Sequence, residues 1–330
     1  MCNFKKMSID ELKELDERLH EELGLREAGE GPSYKKPRRS VRLVPRDLRV
    51  REHLKVARAL STRQIARLLF PSFDPKTGEF LGPGVANAEK RLYDLASKAR
   101  LVNGVPGELT PAPGYPGTNT AWELTREAFK SIRDDPGDEY PDPLRGDKLK
   151  HLVAVNEVYV LLHELLGEIP GYDPTLWRWI GEPKCHRPYG GAPGSHGGRG
   201  RIGYAGGHVL KPDAQIVLFD DTVVFLERQT ADARKKPEAI HDKVFNYHRY
   251  ENSRERRADG RPMTLLWACD AERDKTYAMQ AEKTHPTKTP RQSGMEERWD
   301  KRMVVGAGSP LWVAKKIRNA VAERLAARAS

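Results

Sequence analysis

The chain has 330 residues, with 57 Lys+Arg against 47 Asp+Glu and a formal net charge of +10; 38% of it is hydrophobic and 32% charged. That length can hold two domains with cores of their own, and no apolar run approaches the roughly 18–20 residues that a membrane helix needs. The opening MCNFKKMSID lacks the apolar stretch of a signal peptide, so a cytoplasmic, nucleoid-associated protein is expected and no membrane partner. Cys2, Cys185 and Cys269 are far apart, which argues against a disulfide framework and a cysteine zinc site. A basic balance points to nucleic acid where the charge is clustered.

Clustering is evident from the start. Residues 1–30 carry nine Asp/Glu against five Lys/Arg, and residues 8–24 read as an amphipathic helix. Ser8 and Glu11 form its capping box, and Ile9, Leu12, Leu15, Leu19 and Leu23 form its apolar stripe. That stripe packs on its own protein or on a partner, a second copy included. From Lys35 to Arg58 the sign reverses, with ten Lys/Arg against Asp47 and Glu52. The Pro-rich part reads as an extended arm whose Lys35, Lys36, Arg38, Arg39 and Arg42 would track phosphates.

Residues 51–132 follow the order of a helix-turn-helix with a wing. A short helix begins near residue 52. A second, capped at Ser61/Thr62, carries Arg63 and places Ile65, Leu68 and Leu69 on one face. After a Pro/Gly-rich connection, a third helix buries Ala88, Leu92, Leu95 and Ala99 at helical spacing. Its other side bears Asn87, Lys90, Arg91, Asp94 and Lys98, the polar face that a recognition helix offers to the major groove of duplex DNA. Residues 101–104 and 120–125 would be the wing strands.

A polar linker is expected over 133–150, then a second domain over 151–275, and a polar loop with a basic C-terminal helix over 276–330. Residues 151–167 are apolar nearly all round and read as a buried helix. The Gly-rich stretch 188–207 lacks the GK[ST] ending of a phosphate loop, and Cys185, His186, His196 and His208 lack metal-ligand spacing. The informative segment is 208–230, a predicted hairpin turning at Asp220-Asp221. Glu227 and Gln229 share one strand face, and an odd turn length brings Asp213 opposite on that face. Two carboxylates so placed suit a hard divalent cation such as Mg²⁺ or Mn²⁺, which can activate water for phosphodiester cleavage. A helix over 236–253 puts Lys243 and Tyr247 one turn apart, and a strand over 263–270 closes the unit.

Pro212-Asp213, thirteen residues, then Glu227-Arg228-Gln229 resembles the metal-binding motif of the PD-(D/E)XK nuclease superfamily. With the N-terminal half, the chain resembles the replication-relaxation family of plasmid and mobile-element proteins. The matching pieces are Thr62 to Phe70, Arg91 to Leu95, Leu124-Thr125, His151 to Leu161, Pro212 to Ala214, Phe225 to Glu227, and Lys243 with Tyr247. The resemblance implies an α+β/α/β two-domain fold, a winged helix-turn-helix followed by a restriction-endonuclease-like αβββαβ core. It further implies Asp213, Glu227, Gln229 and Lys243 as the catalytic set, Asp213, Glu227 and Glu182 as metal ligands, and other proteins of the same mobile element as partners. The superfamily's usual lysine position is Gln229 here, so Gln229 itself serves as a polar residue does in some nucleases of this fold, or Lys243 supplies the charge from the helix, or the fold binds DNA without cutting it.

Overall fold

The structure is a computed structural model that describes residues 41–74, 79–105, 109, 120–135, 138–170, 173, 176–190, 208–230, 237–251, 253, 256, 263–284 and 303–329. The expected acidic helix and the arm cations Lys35, Lys36, Arg38 and Arg39 lie outside these residues. The described chain is mixed α/β, with eight helices and several sheets, and it divides into two compact units between Val153 and Ala154.

In the first unit, helix α1 spans Pro45–Ala57, seven residues earlier than expected. Pro45 opens the helix, where a missing N–H costs nothing, and the Asp47 carboxylate accepts the Val44 N–H at 2.8 Å. Arg58, at φ 64°, ends it. Strand β1 (Ala59–Ser61) leads into α2 (Thr62–Leu69). There Ser61 Oγ accepts the Gln64 N–H and Gln64 Oε1 accepts the Ser61 N–H. The Ser/Thr cap is as expected, the return bond from Gln64 makes it reciprocal, and such a cap is worth about 1 kcal/mol.

The Pro/Gly-rich connection is a hairpin, β2 (Pro71–Phe73) and β3 (Phe80–Pro83), with Phe73 and Phe80 exposed and packed edge-to-face. Helix α3 (Val85–Ser97) buries Val85, Ala88, Leu92 and Leu95. Truncating Leu92 or Leu95 to Ala would cost about 2–5 kcal/mol. Strands β4 (Val102–Val105) and β5 (Ala121–Leu124) pair antiparallel, and β5 also pairs with β1. Trp122 of β5 is buried, its Nε1 donating to Thr62 Oγ1 at 2.9 Å.

A short helix, α4 (Arg126–Ile132), follows, capped by Thr125. The stretch read as a linker is not detached from this unit. Lys55 pairs with Asp134, Tyr140 donates to the Leu124 carbonyl, and Arg58 donates to the Asp142 carbonyl. Helix α5 (Gly146–Gly167) starts here, and its Leu149 and Leu152 join Ala59 and Ala121 in a core cluster. The boundary between units falls inside this helix rather than in the polar segment before it.

The second unit is built on five strands in the order β12-β11-β10-β9-β6: β6 (Trp177–Gly181), β9 (Ala214–Leu218), β10 (Val223–Gln229), β11 (Met263–Cys269) and β12 (Met303–Gly308). A short pair, β7 (Arg187–Tyr189) and β8 (His208–Leu210), stands apart from them. β10, β11 and β12 run parallel, while β9 is antiparallel to both β10 and β6. β10 is buried along six of its seven residues, as expected for a central strand covered on both faces.

On one face Phe225, Leu265 and Trp267 meet Ile240, Val244 and Tyr247 of α6 (Pro237–Glu251) and Ala278 and Ala281 of α7 (Glu272–Thr284). Helix α8 (Pro310–Ala329) packs on β11 and β12. A Cβ on Gly308 would stand 2.5 Å from the Trp312 ring, so this close approach requires glycine. α7 and β12 replace part of the expected polar loop. α7 buries Asp274 and the small Ala278 and Ala281 amid other charged residues, and β12 is short and glycine-bearing, so neither displays a clear periodicity in sequence.

Candidate functional site

The hairpin register places the two expected carboxylates. Leu226 pairs with Ala214 and Phe225 with Gln215, so the next step of the ladder sets Glu227 opposite Asp213. The Asp213 N–H donates to the Leu226 carbonyl at 3.1 Å, and Asp213 Oδ2 accepts the Arg228 N–H at 2.6 Å. Glu227 is wholly buried and Asp213 nearly so. Leaving two carboxylates this close and dry without a counter-charge would be costly.

The counter-charge comes from α6. Lys243 Nζ lies 3.5 Å from Asp213 Oδ1 and pairs with Glu227 Oε2. One turn later Tyr247 Oη donates to Glu227 Oε1 at 2.6 Å. Residues four apart share a helix face, so a single helix grips both oxygens of one carboxylate. All four carboxylate oxygens thus have a hydrogen-bond or ion-pair partner.

Burial, then repulsion from Asp213, raises the Glu227 carboxyl above its ordinary value, while the contacts of Lys243 and Tyr247 pull it back towards the carboxylate. Burial works against the Lys243 ammonium, but the two carboxylates outweigh it and hold the group above its ordinary value. Burial and the neighbouring Glu227 raise the Tyr247 phenol well above its usual range. At neutral pH the tyrosine is a donor and the lysine a cation.

Gln229 lies two residues beyond Glu227 on the same strand face and is fully buried. Glu182 follows Gly181, which pairs with Ala214 on the other side of the hairpin, but its carboxylate is 42% exposed and faces His186 Nε2 at 3.4 Å. Among the described residues no group of three His, Cys, Asp or Glu is placed to hold a metal ion. The donor set nevertheless suits one hard cation, because Asp213 Oδ1 and Glu227 Oε2 already converge on a single positive charge. Water and a phosphate would have to complete its shell of oxygens.

Two residues near the site carried no assigned role in the sequence reading. Tyr247 was visible through its spacing from Lys243 and as a piece of the family resemblance. Arg228 points to the opposite strand face, where its guanidinium donates to the carbonyls of Ala154, Gln229 and Ala268 and pairs with Asp270. Nothing in the local pattern marks it as a clamp across three segments.

In the first unit, Arg42, Arg63, Asn87, Lys90 and Lys98 are all exposed. Lys98 pairs with Asp94 one turn earlier on α3. Arg91 differs from its neighbours: its Nε donates to Asp47 Oδ1 at 2.9 Å, and Nη2 reaches Asp47 Oδ2 and the Arg42 carbonyl. Its guanidinium is therefore committed to a buried carboxylate rather than offered to solvent.

Fold and cluster together define a mixed α/β protein in which a helix-borne lysine and tyrosine serve two carboxylates on the central sheet. The family model for replication-relaxation proteins matches residues 52–263, and the chain belongs to that family. Membership suggests a role in the replication or transfer of plasmids or mobile elements. No curated protein and no solved structure matches the chain. No helix among the described residues is long and apolar enough to cross a membrane.

Proposed function

We propose that the chain is a DNA-binding protein of mobile genetic elements whose second unit hydrolyses phosphodiester bonds with a divalent metal. The observation that carries this reading is the convergence of Asp213, Glu227 and Lys243, because it returns a lysine charge to a site where strand β10 offers only Gln229. With the short pair β7-β8 inserted between β6 and β9, the elements α5, β6, β9, β10, α6 and β11 come in the helix–strands–helix–strand order of the PD-(D/E)XK core. Helices α1 to α3 with the sheet β1-β5-β4 support a winged helix in the first unit.

In this reading Asn87 and Lys90 on α3 and Lys98 just past its end, with Arg63 and Arg42, face double-stranded DNA, together with Lys35, Lys36, Arg38 and Arg39 of the arm. Arg91 is withdrawn from the set on the geometry above. In the second unit Asp213 and Glu227 would hold Mg²⁺ or Mn²⁺, which supplies Lewis acidity and an activated water when bound. Lys243, 25% exposed, is the member of the cluster that solvent and phosphate can reach. Its ammonium is placed to donate to a non-bridging oxygen and to offset the charge that builds as water attacks phosphorus and the ester oxygen leaves. Tyr247 holds Glu227 so that Oε2 faces the cation position. Gln229 fits a structural amide better than a water-orienting one, since it is fully buried. Glu182 has no part in this set.

A second reading, a nuclease-like fold that binds DNA without cutting it, draws on the same Gln229 and on the complete burial of Glu227. Incubation of supercoiled plasmid with the full chain and Mg²⁺, Mn²⁺ or chelator separates the two. Metal-dependent nicking that disappears in Glu227→Ala supports the first, and intact duplex binding without nicking in any metal supports the second.

A further inference from the structure

The position that a divalent ion would take between Asp213 and Glu227 is filled by part of the protein. Lys243 Nζ lies against Asp213 Oδ1 and Glu227 Oε2, while the other two oxygens are held by the Arg228 N–H and the Tyr247 hydroxyl. A metal and the ammonium therefore compete for the same two oxygens. Lys243 is tethered by a flexible stem with a quarter of its side chain in solvent, whereas Asp213 and Glu227 are fixed on the sheet. The Lys243 side chain can leave without unfolding the strands.

We propose that Lys243 is the resident cation of this cluster, and that a DNA phosphate opens the seat by drawing the ammonium towards itself. This rests on the hydrolytic reading above and deepens it: metal binding becomes conditional on substrate. Without DNA, entry of a divalent ion places two charges beside one already there. With a phosphodiester at the mouth of the site, the lysine exchanges two carboxylate oxygens for a phosphate oxygen, and the cluster recovers a net charge of two negatives. Metal and DNA then favour each other's binding, and by linkage the effect is equal in both directions. The device keeps a hydrolytic ion out of the site until a target strand is present.

Mn²⁺ binding to the full chain, followed by loss of the free-ion electron paramagnetic resonance signal, tests this without relying on cleavage. The titration is made with and without a short synthetic duplex, correcting for Mn²⁺ held by the duplex alone and by Glu227→Gln. Wild type is expected to bind Mn²⁺ about tenfold more tightly with duplex than without it, a coupling in the ordinary allosteric range. Lys243→Met is expected to bind Mn²⁺ more tightly than wild type without duplex, and to gain less from duplex than wild type does, only what coordination by the phosphate adds. Lys243→Gln serves in the same way if the methionine variant does not fold, as judged by circular dichroism. Equal Mn²⁺ affinity of wild type and lysine variant, with plasmid still cut, overturns the resident-cation proposal and leaves the hydrolytic reading standing. If the duplex binds but no variant takes up Mn²⁺, both fall.

Discussion

Lys90 and Arg91 are neighbours on α3 with the same formal charge, yet the structure assigns them opposite fates, which a pair of variants can test. Asp47 is fully buried and Arg91 is 24% exposed, and they are joined through both carboxylate oxygens. Asp47 holds the arginine above its ordinary value, chiefly through the side-chain hydrogen bond. Removing one partner of a buried pair leaves the other charge stranded and costs about 3–5 kcal/mol. Since a quarter of the Arg91 side chain is in water, Arg91→Met should cost about 3 kcal/mol, near the lower end of that range. Lys90 is exposed, so Lys90→Ala should change stability by less than about 0.5 kcal/mol. If α3 meets DNA, Lys90→Ala should weaken duplex binding and reduce the slope of log affinity against log salt by about 0.9, one phosphate contact. Urea denaturation gives the first quantity and fluorescence anisotropy over a salt series gives the second. A stable Arg91→Met with weakened binding, or a Lys90→Ala that unfolds early, would refute the assignment.

Two further outcomes follow from buried groups. Tyr247→Phe keeps the ring against Phe225 but removes the hydroxyl that donates to Glu227. The loss of a hydrogen bond to a charged group predicts a urea-measured destabilisation of about 1.5–3 kcal/mol, and a change below about 0.5 would contradict the geometry. Burial also pushes the Cys185 and Cys269 thiols up to about 12, from an ordinary value of 9.0. The fold favours the neutral thiol, so its contribution to stability is complete below the ordinary value and declines as pH rises past it, where the unfolded chain ionises first. In a Cys2→Ser background at about pH 8, a disulfide reagent should label neither thiol until denaturant is added. Rapid labelling of the native protein would show these thiols to be accessible.

The parts of the fold that were legible in sequence are those where local chemistry decides. Ser61 capped α2 as its hydroxyl predicted, Leu92 and Leu95 fell on the buried stripe, and strand alternation put Asp213 and Glu227 on one face. What escaped depended on distant partners. Pro45 reads as a breaker until Asp47 is seen to cap the helix that it opens. Arg91 looks like any surface cation until Asp47, 44 residues away, is found beneath it. α7 was hidden because the side chains that it buries are an aspartate and two alanines, which leave no hydrophobic signature. Lys243 and Tyr247 stood at helical spacing in the sequence, but only the sheet beneath α6 reveals that both serve the same carboxylate. Gln229 seemed an active-site residue by its place in the motif, and its burial follows from being on a central strand.

The central claim is that Lys243 supplies from the helix the charge missing from the strand. Its most direct test is the single-turnover rate of supercoiled plasmid cleavage by wild type, Lys243→Arg and Lys243→Gln, with each variant first shown to be folded and to bind duplex. The account predicts that wild type cuts, that the arginine variant retains part of the rate, and that the glutamine variant loses about 10²–10³-fold, the usual cost of removing a group that stabilises developing charge. A glutamine variant that cuts as fast as wild type would contradict it.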